Sequence, residues 1–92
     1  MIKSFRCADT QRLFTGTCPK RFRPFRAQAE RKLIMLHSAA TIAFLGSPPG
    51  NRLEKLRGHR RDSWSIRIND QWRLCFRFKD GDAWDVEIID YH

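Results

Sequence analysis

The chain has 92 residues, 41% of them hydrophobic, which is enough for one small domain spanning residues 1–92. The three cysteines are widely separated and form no CxxC pair, which excludes a disulfide framework and a cysteine zinc site. The apolar runs are far shorter than the ~18 residues of a membrane span, which excludes a transmembrane segment. The net charge is +8, and residues 1–61 hold 14 Lys and Arg against 3 Asp and Glu. This basic surplus predicts nucleic acid as the partner. A solvated basic face and an acidic protein partner are the alternatives.

The first residues predict a strand and a short helix. The letters MIKSF are typical of a first strand, and MIKSFRCADT lacks the apolar core of a signal peptide, so we expect a cytoplasmic protein with reduced thiols. Asp9 is expected to cap a brief helix over TQRLF, which Gly16 ends.

A basic stretch, KRFRPFR at residues 20–26, precedes a longer helical pattern. It is either a surface that contacts RNA or a linker, and Phe22 and Phe25 are expected to pack inward. Pro24 suits a first helical position. Apolar residues then recur at helical spacing up to Gly46 and SPPG, which predicts one long helix whose buried face carries Ala29, Leu33, Leu36, Ala40 and Phe44.

The last third of the chain alternates with a period of two residues, which predicts three strands in a meander. We expect the even-numbered face to pack against the helices and to carry Trp64, Ile66, Ile68, Trp72, Leu74, Phe76, Phe78, Trp84, Val86 and Ile88. The odd-numbered face then presents Arg67, Arg73 and Arg77 to solvent or to a ligand. Pairing of Arg73 or Arg77 with Asp85 or Glu87 across strands is the structural alternative.

These elements predict an α+β fold: a small, twisted, mainly antiparallel sheet with two N-terminal helices packed on one face. Four segments together, MIKSF, SPPGNRLEKLRG, WSIRINDQWRLCFRF and the final VEIIDYH, resemble the HigB-type toxins of the RelE/ParE superfamily, also called plasmid maintenance killer proteins. The resemblance spans essentially the whole chain. It implies the compact RelE-like sheet flanked by two N-terminal helices.

The resemblance also implies a function and partners. HigB-type toxins enter the ribosomal A site and cleave messenger RNA there, so the expected partners are the 70S ribosome with its messenger and a HigA-like antitoxin with a helix-turn-helix DNA-binding domain. The expected activity is that of an endoribonuclease, an enzyme that inhibits translation. The basic helix over RAQAERK, residues 26–32, is predicted to dock an acidic partner.

RNA cleavage needs few groups, because the ribose 2′-hydroxyl is itself the nucleophile. A base must deprotonate it, an acid must protonate the departing 5′-oxygen, and cations must stabilise the phosphorane, so no metal or other cofactor is expected. Asp90 or His92 can act as base and His92 as acid, with Tyr91 as stacking platform or proton donor. The terminal carboxylate on His92 is expected to favour the imidazolium.

The resemblance assigns these roles residue by residue. Arg73, in QWRL, matches the family arginine that contacts the scissile phosphate, and Asp90, Tyr91 and His92 match the family's terminal residues. Strict alternation along the last strand, however, places Asp90 and His92 on the core side and only Tyr91 with Arg73 on the open face. Asp90 is therefore also expected as a structural acid bonded to a backbone amide or an arginine.

A loop before the first hairpin supplies further predicted contacts. Arg57, in KLRG, stands where relatives can carry a lysine, and a histidine that some relatives have just before it is replaced here by Glu54 and Lys55. His59 is either a substitute for that imidazole or a surface group. The predicted substrate-binding residues are Arg57, His59, Arg60, Arg61, Arg67 and Arg77.

The sequence is compatible with two functions of different classes. One is the ribosome-dependent endoribonuclease, and the other is a binder without catalysis, either a ParE-like inhibitor of DNA gyrase or an RNA-binding module. The terminal His92 and Tyr91 favour the nuclease, because inhibition of the ParE type needs no titratable group at that position.

Overall fold

Helices occupy the first half of the chain and strands the second. The computed structural model describes residues 1–56 and 62–90. Its helices are α1 (Ala8–Phe14), a first 3-10 helix (Lys20–Phe25), α2 (Arg26–Ser38), α3 (Ile42–Gly46) and a second 3-10 helix (Pro49–Asn51), followed by the strands β1 (Glu54–Lys55), β2 (Ser63–Arg67), β3 (Trp72–Lys79) and β4 (Asp82–Asp90). The strands form one antiparallel sheet in the order β1-β2-β3-β4, so the α+β prediction is confirmed.

The N-terminal segment extends this sheet. Ile2 and Phe5 form isolated parallel bridges with Ala83 and Val86 of β4, in the segment predicted as a first strand. The backbone N–H of Ile2 also donates to Nδ1 of His37 at 3.1 Å. The outer edge of β4 is therefore covered, which protects its backbone groups from pairing with another chain.

The core lies between α2 and the even-numbered face of the sheet. Ala29, Leu33 and Leu36 of α2 are buried, as the helical spacing predicts. Phe22 and Phe25 are also buried, with ring centroids 5.8 and 5.0 Å from that of Trp72. The phenylalanine rings of the basic stretch thus pack inward, as predicted.

Within residues 1–56 and 62–90, no helix has the length and hydropathy to cross a bilayer.

The single long helix expected from the apolar spacing is instead two helices. α2 ends at Ser38, Ala39 is extended, and α3 starts after Thr41, whose Oγ1 accepts a hydrogen bond from the N–H of Phe44 at 3.2 Å. Phe44 is 51% exposed rather than part of the buried face. The threonine hydroxyl satisfies an N–H that a new helix start leaves open, and this local bond competes with continuation of α2.

A β-bulge overturns the predicted orientation of Trp84. The register between β3 and β4 shifts between Cys75 and Arg77, where Asp85 adopts the left-handed φ of 53°. The extra residue turns Trp84 to the odd-numbered face, where it is 39% exposed, and Ala83 takes the buried position. Period-two spacing fails here because a bulge shifts the alternation by one residue.

Candidate active site

An open cleft lies on the odd-numbered face of the sheet, where the turn between β2 and β3 meets the end of the second 3-10 helix. Its volume is about 280 Å³, and it is lined by Arg52, Arg67, Asn69, Asp70 and Arg73. Three arginines against one carboxylate make it suited to an anion. Within residues 1–56 and 62–90, no group of three or more His, Cys, Asp or Glu side chains is placed to hold a metal ion.

Arg73 is the most constrained cation of this cleft. It is only 8% exposed, which is more buried than alternation alone predicts. Its Nε donates to Oγ of Ser65 at 2.9 Å, and its Nη2 donates to the carbonyl oxygen of Arg52 at 2.6 Å. Glu54 is a weaker neighbour, with Oε1 3.9 Å from Nη1 and its side chain 55% exposed. The guanidinium is thus held in one orientation by groups on three elements.

The carbonyl oxygen of Arg52 reaches Arg73 because of an unusual backbone conformation. Arg52 has φ 42° and ψ 56°, in the left-handed region that residues other than glycine rarely occupy. Such a conformation costs on the order of 1 kcal/mol or more, and it persists where the surroundings fix it. The turn therefore stores strain at a peptide that helps to orient the Arg73 side chain.

Arg67 adds a second cation close to Arg73. The two residues are direct cross-strand partners in the β2–β3 register, a placement in which like charges repel. Arg67 forms an ion pair with Asp70, whose side chain is 99% exposed. Because a fully exposed carboxylate is screened by water, it offsets little of this repulsion. A bound anion between the two guanidinium groups would offset more.

Lys32 of α2 is bonded to Asn51, the residue directly before Arg52. Its Nζ donates to Oδ1 of Asn51, a side chain that is completely buried. Burial lowers the pKa of the Lys32 ammonium, and the neighbouring charges of Arg31 and Arg67 lower it further. The Lys32 ammonium is therefore close enough to Arg67 of the cleft for their charges to repel.

Asp90 faces away from the cleft. It is the cross-strand partner of Trp72, whereas Arg73 is paired with Ile89, so Asp90 and Arg73 lie on opposite faces of the sheet. The side-chain amide of Gln71 donates to Oδ2 of Asp90 at 3.0 Å. The separation expected from alternation is present, and the Gln71 partner is a side-chain amide rather than the backbone amide or arginine expected for a structural acid.

A second, larger cleft lies on the helix side of the same turn. It has a volume of about 500 Å³ and is lined by Arg21, Pro24, Phe25, Gln28, Asn69, Gln71 and Trp72. Asn69 lines both clefts, so the turn that follows β2 separates two concave surfaces. The side of the sheet that carries Asp90 is therefore also concave and polar near its end.

Arg77 occupies the other end of the same face. Two strand periods, or about 13 Å, separate it from Arg73 along β3. Its Nη1 lies 3.7 Å from Oδ2 of Asp85, and its side chain is 42% exposed. This is the cross-strand pairing weighed as the structural alternative, and a substrate contact by Arg77 stays a prediction.

The other predicted site residues lie outside the described ranges, 1–56 and 62–90. They are Arg57, His59, Arg60, Arg61, Tyr91 and His92. Their predicted roles in catalysis and substrate binding therefore stay predictions.

Four side chains or peptides that shape the cleft were not predicted, namely Lys32, Asn51, Arg52 and Ser65. Lys32 was assigned to an outward-facing basic helix, whereas it is half-buried behind the cleft. The only local signal was the run GNR after the two prolines, because an Asn that follows a turn glycine often bonds nearby backbone. No spacing rule connects that run to a residue 19 positions earlier on a helix.

Comparisons with known proteins agree with this architecture. A family model described as the RelE-like toxin HigB of type II toxin-antitoxin systems matches residues 4–92. Toxin HigB-1 of Vibrio cholerae is 47% identical over 53 residues, which are 58% of this chain and 56% of the relative. A Proteus vulgaris protein named Endoribonuclease HigB is 42% identical over 41 residues, 45% of each chain.

A third relative, an uncharacterized protein of Haemophilus influenzae, is 38% identical over 53 residues, 58% of this chain and 52% of the relative. The chain spans about half the length of the curated relatives it matches. The family match, by contrast, covers all but the first three residues. On that match, and with the antiparallel α+β sheet observed, the chain belongs to the HigB-like family of RelE-like toxins of type II toxin-antitoxin systems.

Proposed function

We propose that this protein is an endoribonuclease that cleaves messenger RNA in the A site of the translating ribosome and thereby inhibits translation. The family membership and the name of the Proteus vulgaris relative support an RNA-cleaving toxin. The observation that carries the proposal is the cleft in which Arg73 is held beside Arg67. A fixed guanidinium next to a second cation suits a phosphodiester in the transition state of cleavage.

The proposed reaction uses the nucleophile of the substrate. The 2′-oxygen attacks the adjacent phosphorus, the bond from phosphorus to the 5′-oxygen breaks, and the products carry a 2′,3′-cyclic phosphate and a 5′-hydroxyl. The pentacoordinate phosphorane carries more negative charge than the diester, so donors that are already in place stabilise it selectively. Arg73 fits this role because its orientation is set by Ser65 and Arg52 before any substrate arrives.

Two proton transfers complete the reaction. We assign them to His92, whose neutral imidazole takes the proton of the 2′-hydroxyl, and to Tyr91, whose phenol donates a proton to the departing 5′-oxygen. General acids and bases of this kind each contribute roughly a hundredfold to ten-thousandfold. Asp90 lies on the face opposite Arg73, which supports a positioning role through Gln71 rather than direct proton transfer.

The remaining proposed contacts are to nucleic acid. Arg67 lies in the cleft and is assigned to the phosphate that Arg73 also holds. We assign the predicted loop and strand residues to the messenger backbone or to ribosomal RNA, namely Arg57, His59, Arg60, Arg61 and Arg77. An activity on translating ribosomes places the toxin in the cytoplasm, and none of these steps calls for a metal ion.

The proposed inhibitor of the toxin is a HigA-like antitoxin with a helix-turn-helix domain, since type II systems pair a toxin with a protein antitoxin. The basic segment 26–32 is the proposed docking surface. Arg26 and Arg31 are exposed there, whereas Lys32 is turned towards Asn51. We expect an acidic antitoxin segment to bind less tightly as salt rises, and an affinity that stays constant with salt would contradict a charge-driven interface.

The test adds purified protein to translating ribosomes and maps the ends of the messenger. We expect cuts inside A-site codons, new 5′-hydroxyl ends that polynucleotide kinase labels without prior dephosphorylation, and no cleavage when the target ribose lacks its 2′-hydroxyl. Arg73→Ala should abolish the cuts. A wild-type protein that leaves the messenger intact would falsify the proposal, and inhibition of DNA gyrase by that preparation would establish the ParE-like alternative.

A further inference from the structure

We propose that Lys32 is a positioning residue for the Arg73 cleft: bonded to Asn51, it fixes the turn that carries the carbonyl oxygen of Arg52 onto the Arg73 guanidinium. The functional part of this inference rests on the proposed phosphate role of Arg73. The structural part, that the Lys32 bond sets the Arg73 orientation, can be tested in the isolated protein.

The chain of contacts starts at Arg73. Its Nη2 donates to the carbonyl oxygen of Arg52 at 2.6 Å and to that of Ser65 at 3.3 Å. The Ser65 carbonyl belongs to a strand and is fixed by the sheet. The Arg52 carbonyl belongs to a turn in the left-handed conformation, so its position depends on whatever holds that turn.

Asn51 holds the turn. It is the last residue of the second 3-10 helix, directly before Arg52, and its side chain is completely buried. Its Nδ2 donates to the carbonyl oxygen of Leu45 at 2.9 Å, which ties it to α3. Its Oδ1 accepts from Nζ of Lys32, which ties it to α2. Loss of either bond leaves a buried polar group without that partner and loosens the turn.

The cost of the Lys32 charge indicates that stability is not its main contribution. Burial disfavours the charged ammonium, and the neighbouring Arg31 and Arg67 disfavour it further. A neutral donor on α2 would satisfy Asn51 without that repulsion. A cation at this position helps when an anion occupies the adjacent cleft, because the Lys32 charge then attracts the anion while its hydrogen bond holds the turn.

The experiment compares Lys32→Met, which keeps the aliphatic stem but removes the donor and the charge, with Lys32→Arg, which keeps both. Two controls accompany them. Lys3→Met removes an exposed lysine on the N-terminal segment, and Ala29→Gly weakens α2 within the core without altering a side chain that contacts Asn51.

The first readout is cleavage on ribosomes under single-turnover conditions. We expect Lys32→Met to lower the maximal rate by about tenfold to a hundredfold with a smaller change in KM, because displacement of a catalytic group by ~1 Å can cost about a hundredfold. Lys32→Arg should recover most of that rate. Lys3→Met and Ala29→Gly should cleave within about threefold of wild type at a temperature where all variants are folded.

The second readout needs no substrate. In the NMR spectrum of the isolated protein, the Nε–H of Arg73 should exchange slowly with water in wild type, Lys32→Arg and Ala29→Gly, and several times faster in Lys32→Met. In wild type itself, the Lys32 ammonium should exchange more slowly than that of Lys3, because it is hydrogen-bonded. This comparison remains decisive even when Lys32→Met does not fold.

The outcomes separate the two proposals. Intact messenger with wild type, together with the expected NMR pattern, would remove the nuclease and leave Lys32 as the residue that orients Arg73. Cleavage by wild type with fast exchange of the Lys32 ammonium, or with Lys32→Met indistinguishable from wild type in rate and in the Arg73 signal, would overturn the role of Lys32 and leave the nuclease standing. A rate loss shared equally by Ala29→Gly would also overturn it.

Discussion

Arg73 and Arg77 lie on the same strand and the same face, yet they are held in different ways. Arg73 is 8% exposed and bonded to Ser65 and to the backbone of Arg52. Arg77 has an ion pair to Asp85 at 3.7 Å, with a side chain that is 42% exposed. The Arg73 guanidinium is bonded to neutral oxygen atoms, with the Glu54 carboxylate as a more distant neighbour at 3.9 Å, whereas the Arg77 guanidinium is paired with a partly exposed carboxylate.

This difference teaches where a phosphate is expected to bind. A cation that is held by carbonyl and hydroxyl groups loses little entropy on binding an anion, and the carboxylate near Arg73, that of Glu54, is distant and exposed. A cation in an exposed ion pair must exchange one anion for another, which yields little net free energy. We therefore expect two arginines with the same alternation to differ in function through their neighbours.

The largest effect is expected for Arg73→Lys. Lysine keeps the charge but cannot reproduce a planar fork that bonds Ser65 and Arg52 at once. We expect cleavage on ribosomes to fall by about a hundredfold or more, as for the loss of a preorganised donor to a transition-state oxygen. The measurement is the single-turnover rate, with circular dichroism to establish that the variant is folded.

A rate for a folded Arg73→Lys within about fivefold of wild type would show that charge alone suffices there. The contrast between the two arginines would then lose its basis in geometry. Substitution of Arg73 by lysine also leaves Oγ of Ser65 without its donor in a buried site, so some loss of stability is expected in addition.

Ser65→Ala tests the support of Arg73 without touching the guanidinium. Ser65 is completely buried, and its Oγ accepts from Nε of Arg73. Loss of this bond to a charged group should cost about 1 to 3 kcal/mol of unfolding free energy, and we expect cleavage to fall by roughly tenfold because the guanidinium gains freedom. Denaturant unfolding and the cleavage rate measure the two effects.

Ser63 provides the matched control for this substitution. It is buried at the Arg77 end of the same strand and pairs with Arg77 in the register. Ser63→Ala should reduce cleavage by less than about threefold, since Arg73 keeps its bonds to Ser65 and Arg52. Equal losses of activity in both serine variants would mean that the sheet as a whole, and not the bond to Arg73, governs the rate.

Most of the fold followed from the sequence, because the period of the apolar residues reports which face is buried. The β2 and β3 alternation, the inward Phe22 and Phe25, and the Asp90 side of β4 are all as expected. The failures occur at single residues where a local bond overrides the period. Thr41 starts a new helix, and the bulge at Asp85 reverses Trp84.

The site was predicted only in part, and the reason is physical. Arg67 and Arg73 face one cleft because alternation places them there. The contribution of Lys32, Asn51 and Arg52 depends on a left-handed turn and on contacts between a helix and a turn far apart in the sequence. Neither feature has a periodic signature, so a single sequence does not reveal it.

The pH dependence of stability reports the burial of the Lys32 ammonium and its repulsion by Arg31 and Arg67. The pKa of Lys32 is lowered in the folded protein from its ordinary value of 10.5. Between those two pKa values the unfolded chain binds more protons than the folded protein, so Lys32 makes unfolding more costly as pH rises through this window. Below the lowered pKa both states are protonated and the charge is a steady cost.

We therefore expect the stability of wild type minus that of Lys32→Met to rise between the lowered pKa and 10.5. Denaturant unfolding of both proteins across this range gives the difference, in which other titrating groups cancel. A difference that falls with pH would mean that Lys32 is stabilised as a cation.

The smallest effect is expected for Arg77→Ala, at the opposite end of β3 from Arg73. An exposed ion pair contributes about 0 to 1 kcal/mol, so unfolding should change by no more than that. If Arg77 only pairs with Asp85, cleavage should stay within about threefold of wild type.

Asp85→Asn distinguishes an ion pair of Arg77 from a contact with substrate. Asparagine tolerates the left-handed backbone at this position and removes the carboxylate that pairs with Arg77. Faster cleavage by Asp85→Asn together with slower cleavage by Arg77→Ala would mean that Arg77 contacts RNA. A loss of cleavage in Arg77→Ala as large as that in Arg73→Lys would mean that the two arginines contribute equally to the reaction.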